Sequence, residues 1–231
     1  VLVEQLQADA DLGDESSHDF GRDIIPRIFK THRVFGYQHQ GYWRDVGTVQ
    51  SYHAAHMDLL EPRPQLNLED PDLKLRTAGG ILLPAKFGRG ARVNESLISP
   101  GTHVAGEVSR SVISPGVVIE EGAVVRDSII QHKCVIRSGA IIDHAILDKE
   151  VTVGQGCVVG EGDMTVANFE RPDIVNAGIT IVGKRVTIPS GMHVGRNVVI
   201  GPGVHDELVD RGELESGASV HPTHIPLHLF V

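Results

Sequence analysis

The chain has 231 residues, a formal net charge of −9 and 41% hydrophobic residues. That length suits one or two domains with a sizeable core. The acidic balance argues against a nucleic-acid partner, and no apolar run reaches membrane-spanning length and no secretory signal pattern opens the chain. A cytoplasmic protein is expected, and Cys134 and Cys157, both in apolar contexts, read as buried reduced thiols. The opening residue is Val1, not Met, which reads as a piece of a longer protein.

The first elements predict a small mixed α/β region over residues 1–60. Leu2, Leu6 and the alanines of Val1 to Ala10 give a helical stripe, and the polar run from Asp11 to His18 reads as a loop. A helix is expected over Asp23 to Thr31, with Pro26 tolerated only in its first turn. Val34 to His39 alternates like a strand. Thr48 is placed to cap a helix carrying Val49, Tyr52, Ala55, Met57 and Leu60, which Glu61-Pro62-Arg63-Pro64 ends. Seven of the ten aromatic residues lie in the first 60 positions, so the architecture changes near residue 60. Residues 61–86 read as a proline-bearing linker.

From residue 87 to 231 the pattern has a period near six. Branched aliphatics recur as Val93, Ile98, Val104, Val112, Val118, Val124, Ile129, Val135, Ile141, Ile146, Val153 and Val158, separated by Gly, Ser, Asp, Asn and Pro. That period fits neither an α-helix nor a simple hairpin array. It fits a triangular parallel β-helix in which each side of a coil contributes one inward aliphatic. The period breaks at 161–177, read as a protruding loop, and resumes from Ile179. The tail from His205 is expected to cap the last coil.

Several segments carry candidate chemistry. Gly41-Tyr42-Trp43-Arg44-Asp45-Val46-Gly47-Thr48 crowds two aromatics, a cation and a carboxylate ahead of a helix start. Asp19-Phe20-Gly21-Arg22-Asp23-Ile24-Ile25-Pro26 sets a carboxylate beside an aromatic face, a pairing that suits a sugar. No HRD-type loop accompanies this DFG, so it is no kinase signature. Gly178 to Arg185 approaches a phosphate-binding loop, but Arg185 stands where Ser or Thr must ligate Mg²⁺, and that reading fails. His103, His132, His144 and His193 have no close pair among them and read as surface histidines.

The first two strings resemble the GYWRDVGT and DFG[KR]D-I-I-P segments of ADP-glucose pyrophosphorylase (glucose-1-phosphate adenylyltransferase). Ser51 to Leu60 resembles that family's S-Y-W-x-A-N-M-D-L-L, departing at His53 and His56, and Leu83-Pro84-Ala85-Lys86-Phe87 resembles its P-P-A-K-F linker. The resemblance implies a left-handed hexapeptide-repeat β-helix and a parent reaction of ATP with glucose-1-phosphate, giving ADP-glucose and pyrophosphate in glycogen or starch synthesis. It implies that Asp19, Phe20 and Trp43 line the glucose-1-phosphate pocket. By the same resemblance Asp45 is one of two carboxylates holding Mg²⁺. Lys184, with Arg185 and Arg196, would contact a phosphorylated effector, and the β-helix would serve allostery and assembly into a homotetramer. The family's Gly-rich nucleotide loop, its second metal carboxylate and its E-K-P segment are missing from the sequence, so this portion alone is expected to be inactive. A non-catalytic regulatory paralogue and a hexapeptide-repeat acyltransferase are the alternatives.

Overall fold

The computed structural model describes residues 1–68, 70–72, 80 and 82–223. These divide into two compact units, Val1–Gly41 and Tyr42–Val231. The break in compactness lies ahead of the break in composition near residue 60, because the helix after Thr48 packs on the repeats that follow it.

The first unit is helical. Helix α1 spans Leu2–Ala10, a 3₁₀ turn covers Gly13–Glu15, and a π-helical turn over Phe20–Ile24 runs into α2, Ile25–Phe29, with Pro26 in its first turn. Helical backbone, the π-helical turn included, therefore starts earlier than Asp23 and ends before Thr31. Its early start comes from Asp19, whose side chain accepts from Arg22 N at 2.7 Å and caps the turn. Val34 to His39 forms no strand, so the expected α/β character of residues 1–60 gives way to helices and loop. Phe35 and Tyr37 are 82% and 90% exposed. No strand precedes Lys86 among the described residues, and an alternating segment without a ladder partner has nothing to pair its backbone.

The second unit opens on α3, Val49–Asp58. Thr48 caps it as expected, and Ser51 completes a reciprocal capping box that the sequence reading did not name. Parallel β-helix follows. Its strands of two or three residues stack into three all-parallel sheets of six, seven and seven strands. One side runs Lys86–Phe87, His103–Val104, Val118–Ile119, Val135–Ile136, Thr152–Val153 and Thr187–Ile188. Registers such as Val118↔Val135 and Val135↔Thr152 set 17 residues per coil.

The core is a column of wholly buried aliphatics that includes Ile113, Ile119, Val125, Ile136, Ile142, Leu147, Val159 and Ile200. The period is the expected one, but its phase is one residue later at seven of the twelve positions named from sequence. Val112, Val118, Val124, Val135, Ile141, Ile146 and Val158 are only partly buried, and the next residue points inward. Each of these strands carries two aliphatics in succession, and alternation sends one to each face. A second inward residue lies two before the first, as in Val117–Ile119, Ala123–Val125 and Cys134–Ile136. Each inward aliphatic removes apolar surface worth about 1.5–3 kcal/mol.

Corners are sharp and left-handed in φ. One is built from Glu95, Arg110, Asp127 and His144, all at φ between 43° and 51°. The residue that follows stitches this corner along the stack. Ser96, Ser111 and Ser128 accept from the backbone N–H of Ser111, Ser128 and Ala145, each at 3.1 Å. Their hydroxyls donate back to the carbonyls of Asn94, Ser109 and Arg126. Buried serines are thus fully paired, as burial demands.

Two sequence expectations change here. The 161–177 insertion is not a free protrusion. Asn168 is completely buried, and its Nδ2 lies 3.0–3.2 Å from Asn197 O, Gly217 O, Ala218 O and Ser219 Oγ. Its Oδ1 accepts from Glu170 N and Arg171 N. The loop is tied back onto the later coils. Nor is the stretch from His205 a cap. After the short helix α4, Asp206–Val209, the chain adds strands Glu213–Leu214 and Ser219–Val220, paired in parallel with His193–Val194 and Val199–Ile200. The coil continues because Leu214 and Val220 supply two more inward aliphatics. Residues 224–231 of the expected cap lie outside the described residues, as do 69, 73–79 and 81 of the expected linker.

Candidate functional site

In the first unit the Asp19–Phe20 pair sits on the π-helical turn. Asp23 N and Ile24 N both donate to Asp19 O, at 2.9 and 3.1 Å. Asp19 and Phe20 are exposed, Phe20 by 49%. Asp23 accepts from the Ser17 hydroxyl and from Asp19 N, and the serine hydrogen bond draws its carboxyl below the usual range.

Behind this turn lies a carboxylate that sequence reasoning missed. Asp9, on the inner face of α1, is 2% exposed. It accepts from Ser16 Oγ at 2.8 Å, lies 2.8 Å from His18 Nδ1, and forms an ion pair with Arg27 on α2. The His18 contact foremost, then the Ser16 and Arg27 hydrogen bonds, hold its carboxyl at about 2 against the opposing effect of burial. An acidic residue within the apolar stripe of α1 was the available signal.

In the second unit the GYWRDVGT string runs as an irregular segment into the Thr48 cap. Trp43 is 77% exposed and lines a hollow of about 520 Å³ with Tyr42, Arg44, Asp58, Glu61 and Arg63. Asp58 organises that wall, accepting from Tyr42 Oη at 2.9 Å and pairing with Arg44 Nε at 3.0 Å. Donation to Asp58 pushes the Tyr42 phenol upward. Asp45 does not line the hollow. It is exposed, accepts from Gly47 N at 3.2 Å, and forms no ion pair among the described residues, because Arg44 is taken by Asp58.

As for metal, the fit is partial. Asp45 offers a hard, solvent-facing oxygen ligand of the kind Mg²⁺ takes. Among the described residues no three His, Cys, Asp or Glu side chains form a metal-holding group. Any metal held here needs ligands beyond those this cluster supplies.

The three expected effector-site cations lie on the coil. Arg185, at a corner with φ 61°, pairs with Glu150 at 2.9 Å. Arg196 is largely buried, with its side chain 13% exposed, and pairs with Asp143 at 2.8 Å. Lys184 is half-exposed beside the Arg185–Glu150 pair. The same stretch rules out a phosphate-binding loop: Thr180–Val182 is a strand of the coil and the next element is another strand, Thr187–Ile188.

Of the four histidines read as surface, His144 is half-buried and meets His53, which is 7% exposed on α3. Both cysteines are buried and free, Cys134 with its thiol pushed up to about 11 by burial and Cys157 raised by the same cause.

Two family matches cover successive stretches of the chain, with their boundary later than the division into compact units after Gly41. The nucleotidyl transferase family matches residues 2–62, and the family described as GlmU-like, C-terminal hexapeptide matches residues 82–182. The chain thus joins a nucleotidyltransferase segment to a hexapeptide-repeat solenoid. Along most of its length it is similar to proteins named glucose-1-phosphate adenylyltransferase. It is 38% identical to the one from Acetivibrio thermocellus over 221 residues, 95% of this chain and 51% of that protein. Identity is 47% over 205 residues with the Thermomicrobium roseum protein and 46% over 209 residues with that of Thermotoga neapolitana, covering 48% and 49% of those relatives. The chain spans about half the length of the curated relatives it matches. No helix among the described residues is long and apolar enough to cross a membrane.

Proposed function

We propose that this chain is the C-terminal portion of an enzyme that makes ADP-glucose and pyrophosphate from ATP and glucose-1-phosphate. What carries the reading is the joining, in one chain, of a nucleotidyl transferase segment and a hexapeptide solenoid, at 36% to 47% identity to proteins so named. On this reading Asp19, Phe20 and Trp43 bind the sugar phosphate. The support is chemical: a carboxylate accepts from hydroxyls, while exposed Phe20 and Trp43 offer faces for the sugar's C–H surface.

Asp45 would be one of the ligands of Mg²⁺, which when bound neutralises phosphate charge during nucleotidyl transfer. The tie from Gly47 N fixes the orientation of its carboxylate and leaves the group open to solvent. The α3 helix and the coil form the carrying frame, active in the cytoplasm as a homotetramer. Lys184 would receive a phosphorylated effector. Arg185 and Arg196 already neutralise Glu150 and Asp143, so they contribute little net positive charge there.

The test is direct. Full-length protein incubated with ATP, glucose-1-phosphate and Mg²⁺ forms ADP-glucose and pyrophosphate in equal amounts. Absence of both products overturns the reading. Lys184→Ala leaves the maximal rate intact and shifts the activation curve for phosphorylated effectors; an unmoved curve makes Lys184 a solvated charge.

A further inference from the structure

We infer that Asp9 is a positioning residue for the sugar-phosphate site, acting through His18 and Arg27 to fix the turn that presents Asp19 and Phe20. The inference rests on the functional reading above and extends it to a residue that touches no substrate.

Three observations carry it. First, Asp9 is the one buried residue of α1, whose Leu2, Val3 and Leu6 are exposed, and its partners bracket the turn. His18 immediately precedes Asp19, and Arg27 lies three residues past the end of the Phe20–Ile24 turn. One carboxylate therefore ties down both ends of the segment. Second, His18 holds φ at 57°, a left-handed conformation uncommon for residues other than Gly, although Asn, Asp and His reach it most readily. Something must hold it there. The Nδ1 contact to Asp9 and the N–H donated to Ser16 Oγ at 3.1 Å do so, and Ser16 itself donates to Asp9. Third, the turn it fixes is π-helical, a geometry that short helices adopt rarely and mostly where side-chain placement matters. Besides the brace, the turn is held by Asp19 capping Arg22 N, by Asp23 accepting from Ser17 and Asp19 N, and by the two backbone N–H groups that donate to Asp19 O.

His18 separates positioning from folding. His18→Gly keeps the left-handed backbone accessible and deletes the donor to Asp9. His18→Asn tolerates the same φ and places an amide N–H where Nδ1 stood. In the full-length enzyme, His18→Gly raises the KM for glucose-1-phosphate about tenfold or more while the KM for ATP stays within about twofold. His18→Asn recovers most of that loss. Arg27→Gln, cutting the brace from its other end, moves the same constant in the same direction. A glucose-1-phosphate KM unchanged in His18→Gly overturns the inference and leaves the function standing. So does a parallel rise in both KM values, which would mark general loss of structure. A wild type that forms no ADP-glucose overturns the functional reading, and the inference falls with it.

Discussion

The imidazole rings of His53 and His144 meet at 4.8 Å between centroids, tilted 61°, where helix α3 rests on a corner of the coil. His53 Nε2 lies 2.6 Å from the carbonyl oxygen of Asp127, which only accepts, so that nitrogen carries the proton. Tyr52, one residue earlier on α3, receives a hydrogen bond from Gln131 Nε2 at 3.1 Å. These contacts fasten the helix to the β-helix. They occur where the sequence departs from the tryptophan of the resembled family segment.

A pH dependence follows from that pair. Burial first, then the neighbouring His53 and Arg196, lowers the affinity of His144 for its proton, with the Ala177 backbone hydrogen bond and then Asp127 opposing. The unfolded chain therefore binds the proton more readily than the folded one as pH falls through about 6.5. Stability drops on acidification and is restored above that value. His144→Asn removes the titrating ring and suits the φ of 51°. Between about pH 7.5 and about pH 5.5 the urea midpoint of the wild type should fall further than that of the variant. Equal falls would show that the pair does not govern acid stability.

Asn168 should be the costliest single polar residue of the inserted loop. Its two amide hydrogens serve four acceptors at near-equal distance, and its carbonyl takes two backbone donors. Asn168→Ala leaves buried backbone groups unpaired and should cost about 2–4 kcal/mol in urea unfolding. A loss below about 0.5 kcal/mol would mean that the loop is held by its apolar contacts.

Gly160 closes the coil before that loop. It has φ +86°, and a Cβ there would stand 1.9 Å from Asp143 O. Gly160→Ala should cost about 3 kcal/mol or more, or abolish soluble expression, because both the clash and the backbone strain are unavoidable. Gly122 has a similar φ of +75° but nothing closer than 3.7 Å. Gly122→Ala should therefore cost only about 1 kcal/mol, from backbone strain alone. Equal effects at the two sites would show that sterics at Gly160 relax.

Asp45→Asn tests charge without disturbing shape. The amide oxygen still accepts from Gly47 N, so the turn survives while the negative charge is lost. In the full-length enzyme turnover should fall by at least ~10²-fold at saturating substrates, with the melting temperature unchanged. Turnover near that of the wild type would leave Asp45 as a turn residue only.

The solenoid was legible because its repeat is local. A side of two to three residues, a corner and an inward aliphatic recur within six positions, so the period survives in any window of the chain. Its phase was not, since strands such as Val118–Ile119 and Ile129–Ile130 are apolar on both faces and only stacking decides which side chain goes in. The strand expected at Val34 to His39 failed for a related reason: alternation describes a strand, but a ladder partner makes one. Thr48 was readable as a cap because a helix start is settled by a few neighbouring residues.

The site divides along the same line. The amino-acid order by itself determined which side chains are candidates, Asp19, Phe20, Trp43 and Asp45, because short strings carry their chemistry. Tertiary structure alone decided their supports: Asp9 beneath the Phe20 turn, Asp58 holding Arg44, and His53 on His144. Those partners stand 9 to 91 positions apart in the sequence. Such distances leave no periodic trace, and the contacts exist only once burial has brought the elements together.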